Sequence, residues 1–207
     1  MMKKILLLIL IVMSQNFVFA QEEENSATII FNDSTTLKGY GEIKKESIYF
    51  SLTPNGKKSE WSYDAVIGII FSGYGYSERY EYVLAEKATK PVLMELIEEG
   101  NINLYRKNSL KMNLGLDFNN GVNLNNSHLI NTTTSRNYPT NFSSTFYVKR
   151  STEEKATDLS SGFKKQSLKY FADCEIIITK LNRRDFTSDK ILEMVTYYNN
   201  YCDGEEN

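Results

Sequence analysis

The chain has 207 residues, with 24 Lys and Arg against 26 Asp and Glu and a formal net charge of −2. That near balance excludes the basic footprint through which proteins hold nucleic acid, and the length supports one domain with a proper core or two small ones. A single histidine, His128, leaves no material for a multi-histidine metal site, and its place within the Asn-rich stretch 108–143 argues against a histidine-based triad.

Lys3 and Lys4 precede an unbroken apolar run from Ile5 to Met13, well short of the roughly 20 residues that span a bilayer. "SQNFVFAQ" follows, with Val18 and Ala20 at the small-residue positions that signal peptidase reads. Residues 1–20 therefore read as a signal peptide cut between Ala20 and Gln21, with an uncleaved membrane anchor as the alternative. The mature chain is then exported, to the periplasm or beyond, and opens on an acidic leader, residues 21–26. No cysteine stands near the cut, which disfavours a lipid anchor.

Residues 27–71 read as a small β unit. "ATIIF" leads to an Asn32-Asp33-Ser34 turn, and "TTLKGYGEI" carries Gly39 and Gly41 where a strongly bent strand wants them. In "ESIYFSLTPNGKKSEWSY", Asn55-Gly56 predicts a two-residue type I′ turn. That register sets Phe50 opposite Trp61, Ile48 opposite Tyr63 and Leu52 opposite Ser59, all on one apolar face. With "IGIIF" the group makes five short strands, which fits a small SH3-like or Sm-like barrel or, equally, a plain antiparallel meander.

Residues 72–150 read as a β-meander. "RYEYVLAEK", "KPVLMELIEE" and "NINLYRK" are consecutive strands, with Gly100-Asn101 as a turn that pairs Ile97 with Leu104 and Glu95 with Arg106. The charge pair is a register aid and not an active-site pair. "STFYVKR" at 144–150 is the next strand. Between them, residues 108–143 are rich in Asn, Ser and Thr and bury too little to offset the entropy of ordering, so they read as a long insert that either is merely solvated or contacts a partner. In "FSGYGYSERYEYV", Tyr80 and Tyr82 read as alternate core residues of a strand. Tyr74 and Tyr76, on a glycine-flanked turn, are the candidates for contact with a glycan or protein partner.

From residue 151 to 207 the period changes from two to about 3.6. Phe163, Ser167, Tyr170, Phe171, Cys174, Ile177, Ile178 and Leu181 share one helical stripe, with Asp173 able to cap a break within it. Thr187 and Ser188 offer an N-cap, Asp189 suits a first turn, and Ile191, Val195, Tyr198 and Cys202 form a second stripe. Behind an export signal, two cysteines on two apolar faces predict a Cys174–Cys202 disulfide, the alternative being two separately buried thiols. Their spacing rules out a CxxC redox site, and no zinc site can be proposed.

No GxSxG, P-loop or GxGxxG is present, so neither a catalytic residue nor a cofactor is assigned. "FYVKR" at 146–150, "YFADCEIIITKLNRRDF" at 170–186 and "ILEMVTYYNNYC" at 191–202 together resemble a group of uncharacterised exported proteins of Bacteroidota, of flavobacterial type, with a β-rich body and a two-cysteine helical tail. Glu175 departs from the proline that often follows the first cysteine in that group. The resemblance implies source, export and paired cysteines, and no activity. The sequence thus predicts an α+β protein, an antiparallel β-rich body with a disulfide-bearing helical tail, acting as a non-enzymatic envelope binding or assembly component. A glycan-binding module and a carboxylate-based hydrolase are the alternatives; the latter needs only two acids, which can be remote in sequence.

Overall fold

The structure, a computed structural model, describes residues 26–73, 76–111 and 141–202. The expected signal peptide and its cleavage site, the leader up to Glu24 and Asn25, Tyr74 and His128 lie outside the described residues.

Ten strands form one antiparallel sheet: β1 (Ser26–Phe31), β2 (Thr36–Lys44), β3 (Ser47–Ser51), β4 (Ser59–Trp61), β5 (Val66–Gly73), β6 (Tyr76–Val83), β7 (Val92–Glu98), β8 (Ile102–Lys111), β9 (Asn141–Arg150) and β10 (Thr157–Asp158). Their order is β10-β9-β8-β7-β6-β5-β1-β2-β3-β4. Neighbours in space are neighbours in sequence except where β1 pairs with β5. β5 also pairs with β6, Ile69 opposite Tyr80, so the sheet is continuous between the two expected β units.

β2 serves two partners, pairing with β1 through Thr36–Tyr40 and with β3 through Tyr40–Lys44. Its glycines allow close approach: a Cβ at Gly41 would collide with the Ile69 and Ala27 side chains. Between β3 and β4 the expected register is corrected by two residues. Ile48 lies opposite Trp61 and Phe50 opposite Ser59, because the reversal is a four-residue turn in which the Gly56 amide donates to the Thr53 carbonyl at 3.0 Å. Pro54 takes the second position of that turn, where its fixed φ belongs. A shift of two preserves the faces, so Ile48 and Phe50 stay buried, while Leu52 is left 64% exposed outside the strands.

The tight two-residue turn sits one hairpin earlier. Lys44 pairs with Ser47, and the two residues between them, Lys45 and Glu46, have φ of 50° and 65°. Positive φ at both central positions is the signature of a type I′ turn, which favours Asn-Gly and penalises ordinary side chains. Lys45→Asn with Glu46→Gly is therefore expected to raise stability by about 1 kcal/mol, read as a higher urea midpoint at unchanged slope.

Glu95 faces Arg106 as expected, and the Arg106 guanidinium binds that carboxylate at 2.8–3.0 Å. Ile97 does not face Leu104: the register shifts between Leu96 and Glu98, which puts Glu98 opposite Leu104 and makes Ile97 the extra residue of a bulge. β8 and β9 stay in register from Ile102↔Arg150 to Lys111↔Asn141. Residues 108–111 and 141–143 of the expected insert therefore belong to strands, and 112–140 lie outside the described residues. The sheet also curls on itself. Ala85, just after β6, bridges Ala156, just before β10, with the Glu86 amide on the Ala156 carbonyl at 3.0 Å and the Ala156 amide on the Leu84 carbonyl at 2.8 Å.

Three apolar clusters result. One gathers Ile29, Ile48, Phe50, Val66 and Ile69 under the β1–β5 strands, and Leu93 of β7 joins it. A second fills the curl with Val83, Met94, Tyr105 and Ala156. The largest packs the helical tail on Ile102, Leu104 and Val148 of β8 and β9. The tail consists of α1 (Phe163–Tyr170), α2 (Glu175–Arg183) and α3 (Ile191–Tyr201), the last preceded by one 3₁₀ turn, Ser188–Lys190. Phe171, Ile177, Leu181, Ile191 and Val195 of the expected stripes are buried, and Met194 joins them. Asn199 fixes α3 to the start of β8: its amide donates to the Ile102 carbonyl and accepts from the Ile102 amide, each at 3.0 Å.

The Cys174–Cys202 disulfide is present, with Cα atoms 5.7 Å apart. Asp173 does not cap α2. Cys174 occupies the N-cap position, and the Asp173 carboxylate turns instead to Arg150 and Tyr198.

Candidate functional site

Apart from Asn199, the side chains through which the helices bond the body converge on Arg150, the last residue of β9. One guanidinium nitrogen, Nη2, donates to the Tyr170 carbonyl at 3.1 Å and to Asp173 Oδ2 at 3.0 Å. The guanidinium lies 4.4 Å from the centroid of the Tyr170 ring, within the range of a cation–π contact. Tyr198 donates its hydroxyl to Asp173 Oδ2 at 2.6 Å. Glu153 completes the knot, its Oε2 accepting the Arg150 amide at 2.8 Å and the Tyr170 hydroxyl at 2.6 Å.

The electrostatics follow from this geometry. Burial opposes the Arg150 charge, but the Tyr198 hydrogen bond and the Asp173 carboxylate hold the guanidinium more firmly protonated than usual. Burial, then the hydrogen bond to Glu153, pushes the Tyr170 phenol up. Burial, then Asp173, does the same at Tyr198. Each fixed group thereby keeps the protonation state its partner needs.

Beside this knot opens a polar cleft of about 390 Å³. Arg150, Glu153 and Tyr170 form its inner wall, and Glu86, Thr157, Gln166 and Lys169 its rim. The Thr157 hydroxyl donates to Glu86 Oε1 at 2.9 Å. Among the described residues the side chains of Gln166 and Lys169 have no hydrogen-bond or ionic partner. A smaller cleft of about 230 Å³ lies over Ala85, Ala88 and Val92, rimmed by Lys107, Tyr147 and Asp158, and Lys107 is already paired with Glu46 at 3.0 Å.

A second polar network supports the curl. The Tyr105 hydroxyl donates to Glu81 Oε2 at 2.8 Å, and Arg79 pairs with the other oxygen of Glu81 at 2.5 Å. Burial, then the Glu81 charge, drives the Tyr105 phenol up. The Tyr105 hydroxyl and both oxygens of Glu81 are spent on their neighbours, which marks a structural network.

Of the residues singled out in the sequence, Tyr74 lies outside the described residues, and only the backbone of Tyr76 is described, opposite Gly73 in the β5–β6 hairpin. Tyr80 and Tyr82 pack against the first cluster. The Tyr82 hydroxyl donates to the Trp61 carbonyl at 2.9 Å, and Tyr80 meets Phe71 edge-on at 5.9 Å. Both cysteines meet in the bond described above. The roles of Arg150, Glu153, Gln166 and Lys169 escaped the sequence reading, although "FYVKR", "YFADC" and "YYNNYC" supply every member of the knot but Glu153. Among the described residues no group of three or more His, Cys, Asp or Glu is placed to hold a metal ion, and no helix is long and apolar enough to cross a membrane.

The tyrosines give a pH test. Burial, then the charges of Glu95 and Glu78, pushes Tyr80 up to about 12, and Tyr105 and Tyr170 are also raised. A phenol whose folded value exceeds its unfolded value near 10 stabilises the fold fully below that pH and loses its contribution as pH rises through the folded value. Unfolding should therefore begin only as the pH passes from about 10 toward about 12. Tyrosinate absorbance followed alongside circular dichroism checks this, since a single titration near pH 10 with no structural change would contradict it.

Compared with protein-family models, curated proteins and solved structures, the chain matches none.

Proposed function

We propose that the protein is an exported, non-enzymatic binding or assembly component of a bacterial envelope. The observation that carries this reading is the cleft beside the stapled tail, whose inner wall is fixed by mutual hydrogen bonds before any ligand arrives. A fixed wall lowers the ordering cost of binding. The disulfide supports an oxidising compartment, and the resemblance to exported Bacteroidota proteins agrees with it. The order β5-β1-β2-β3-β4 with a two-partner β2 also supports reading the N-terminal strands as a small SH3-like barrel.

The test is crosslinking of tagged protein in intact cells of its own host, followed by envelope fractionation. The reading expects a reproducible crosslinked partner, protein or polysaccharide, that is lost when the rim residues Gln166 and Lys169 are replaced by alanine. Recovery of the uncrosslinked protein alone in a soluble fraction would overturn it.

A second reading, a carboxylate-based hydrolase, draws on Glu86 and Glu153 lining one cleft. It expects turnover of a cell-wall or polysaccharide substrate that Glu86→Gln abolishes. Absence of turnover across such substrates removes it.

A further inference from the structure

The chemistry of the polar cleft narrows what it can hold. Its volume of about 390 Å³ falls within the few hundred cubic ångströms typical of small-ligand sites. Its charges cancel: Glu86 and Glu153 stand against Arg150 and Lys169, and Arg150 is further shared with Asp173 at 3.0 Å. A phosphate or carboxylate would meet two acids without a surplus cation. A cationic ligand would meet Lys169 and Arg150. An apolar ligand finds no apolar wall, since every side chain lining the cleft bears a polar group. An extended peptide finds no free edge at Ala156, whose amide and carbonyl already bond Leu84 and Glu86.

What the rim offers is a set of uncommitted hydrogen-bonding groups. Gln166 supplies two donors and an acceptor oxygen, Lys169 a flexible donor, and Glu86 its second oxygen, Oε1 being taken by Thr157. A sugar hydroxyl both donates and accepts, and adjacent hydroxyls present donor and acceptor side by side. That is the complement of an amide next to a carboxylate. We infer that this cleft binds a neutral saccharide unit, with Gln166, Lys169 and Glu86 as the discriminating contacts and the Arg150–Glu153–Tyr170 wall as their rigid support. The inference rests on the binding reading above and names its ligand class.

The mature protein is titrated calorimetrically with neutral mono- and oligosaccharides of glucose, galactose, mannose and N-acetylglucosamine, and with uronic-acid oligomers for comparison. At least one neutral sugar is expected to bind. Gln166→Ala with Lys169→Ala is expected to weaken that binding about tenfold or more, the equivalent of losing one or two net hydrogen bonds, with circular dichroism and Tm unchanged. Tyr74→Ala with Tyr76→Ala is expected to leave it intact. Preference for the uronic acids, or loss of binding with the tyrosines and not with the rim, overturns the assignment. If no sugar binds but a crosslinked protein partner depends on Gln166 and Lys169, the saccharide falls and the binding reading stands. If neither is found, both fall.

Discussion

Replacing Cys174 and Cys202 together by alanine is expected to lower the free energy of unfolding by about 3–4 kcal/mol. The bond closes a loop with a sequence separation of 28, and in the chain-entropy account a loop of that length withholds about that much freedom from the unfolded state. A domain of this size holds only about 5–15 kcal/mol in all, so the loss is a large share of it. The effect should not be uniform. α2 and α3 contribute Ile177, Leu181, Met194 and Val195 to one cluster with Ile102, Leu104 and Val148, whereas the β1–β5 cluster contains no tail residue. Amide exchange in the double variant should therefore rise first in α3 and last in β1 and β5. Urea unfolding of oxidised wild type against the variant measures the total, and a loss below about 1 kcal/mol would show that the seated helices need no bond.

The second large effect is expected at Arg150. Arg150→Met keeps the length of the side chain but leaves the Tyr170 carbonyl without its donor and Asp173 without its cation, while the main-chain amide at 150 still serves Glu153. Breaking a wholly buried ion pair costs about 3–5 kcal/mol. The Arg150 side chain is 26% exposed and that of Asp173 52%, so solvent screens part of this, and about 2 kcal/mol is the expected loss. Arg150→Lys should recover little, because one ammonium cannot bond the Tyr170 carbonyl and Asp173 while lying flat over the Tyr170 ring. Thermal unfolding should rank wild type above Arg150→Lys and Arg150→Lys just above Arg150→Met. A lysine variant as stable as wild type would reduce the knot to a simple charge pair.

The parts of this architecture that were legible in the sequence are those set by local periodicity. Strand-like runs marked β1 through β9, and the 3.6-residue stripe marked the buried face of the tail down to both cysteines. Turn chemistry misled where two signals overlapped: Asn55-Gly56 invites a type I′ turn, but Pro54 immediately before it fixes a different reversal. The true two-residue turn uses Lys45 and Glu46, residues with no turn preference, held there by pairing on either side. The Ile97 bulge has no local mark either, since it answers to packing against the tail. The cleft was illegible for a different reason. Tyr170, Asp173 and Tyr198 reach Arg150 from 20, 23 and 48 residues away, and nothing in the spacing of one sequence announces that they meet. Only the grouping of three phrases into one resemblance hinted that they form a unit.

The position of the disulfide along the chain also sets an order of assembly. Both sulfurs lie after the last strand, so a chain delivered from its N-terminus has presented every strand before the first thiol appears. The β1–β5 pairing and the Ala85–Ala156 closure can be completed without any oxidant. With only two cysteines in the sequence, oxidation has a single intramolecular product and no wrong pairing to trap. The covalent step is thus a final lock on a body already in place, and a delay in oxidation leaves the tail, not the sheet, open to proteases.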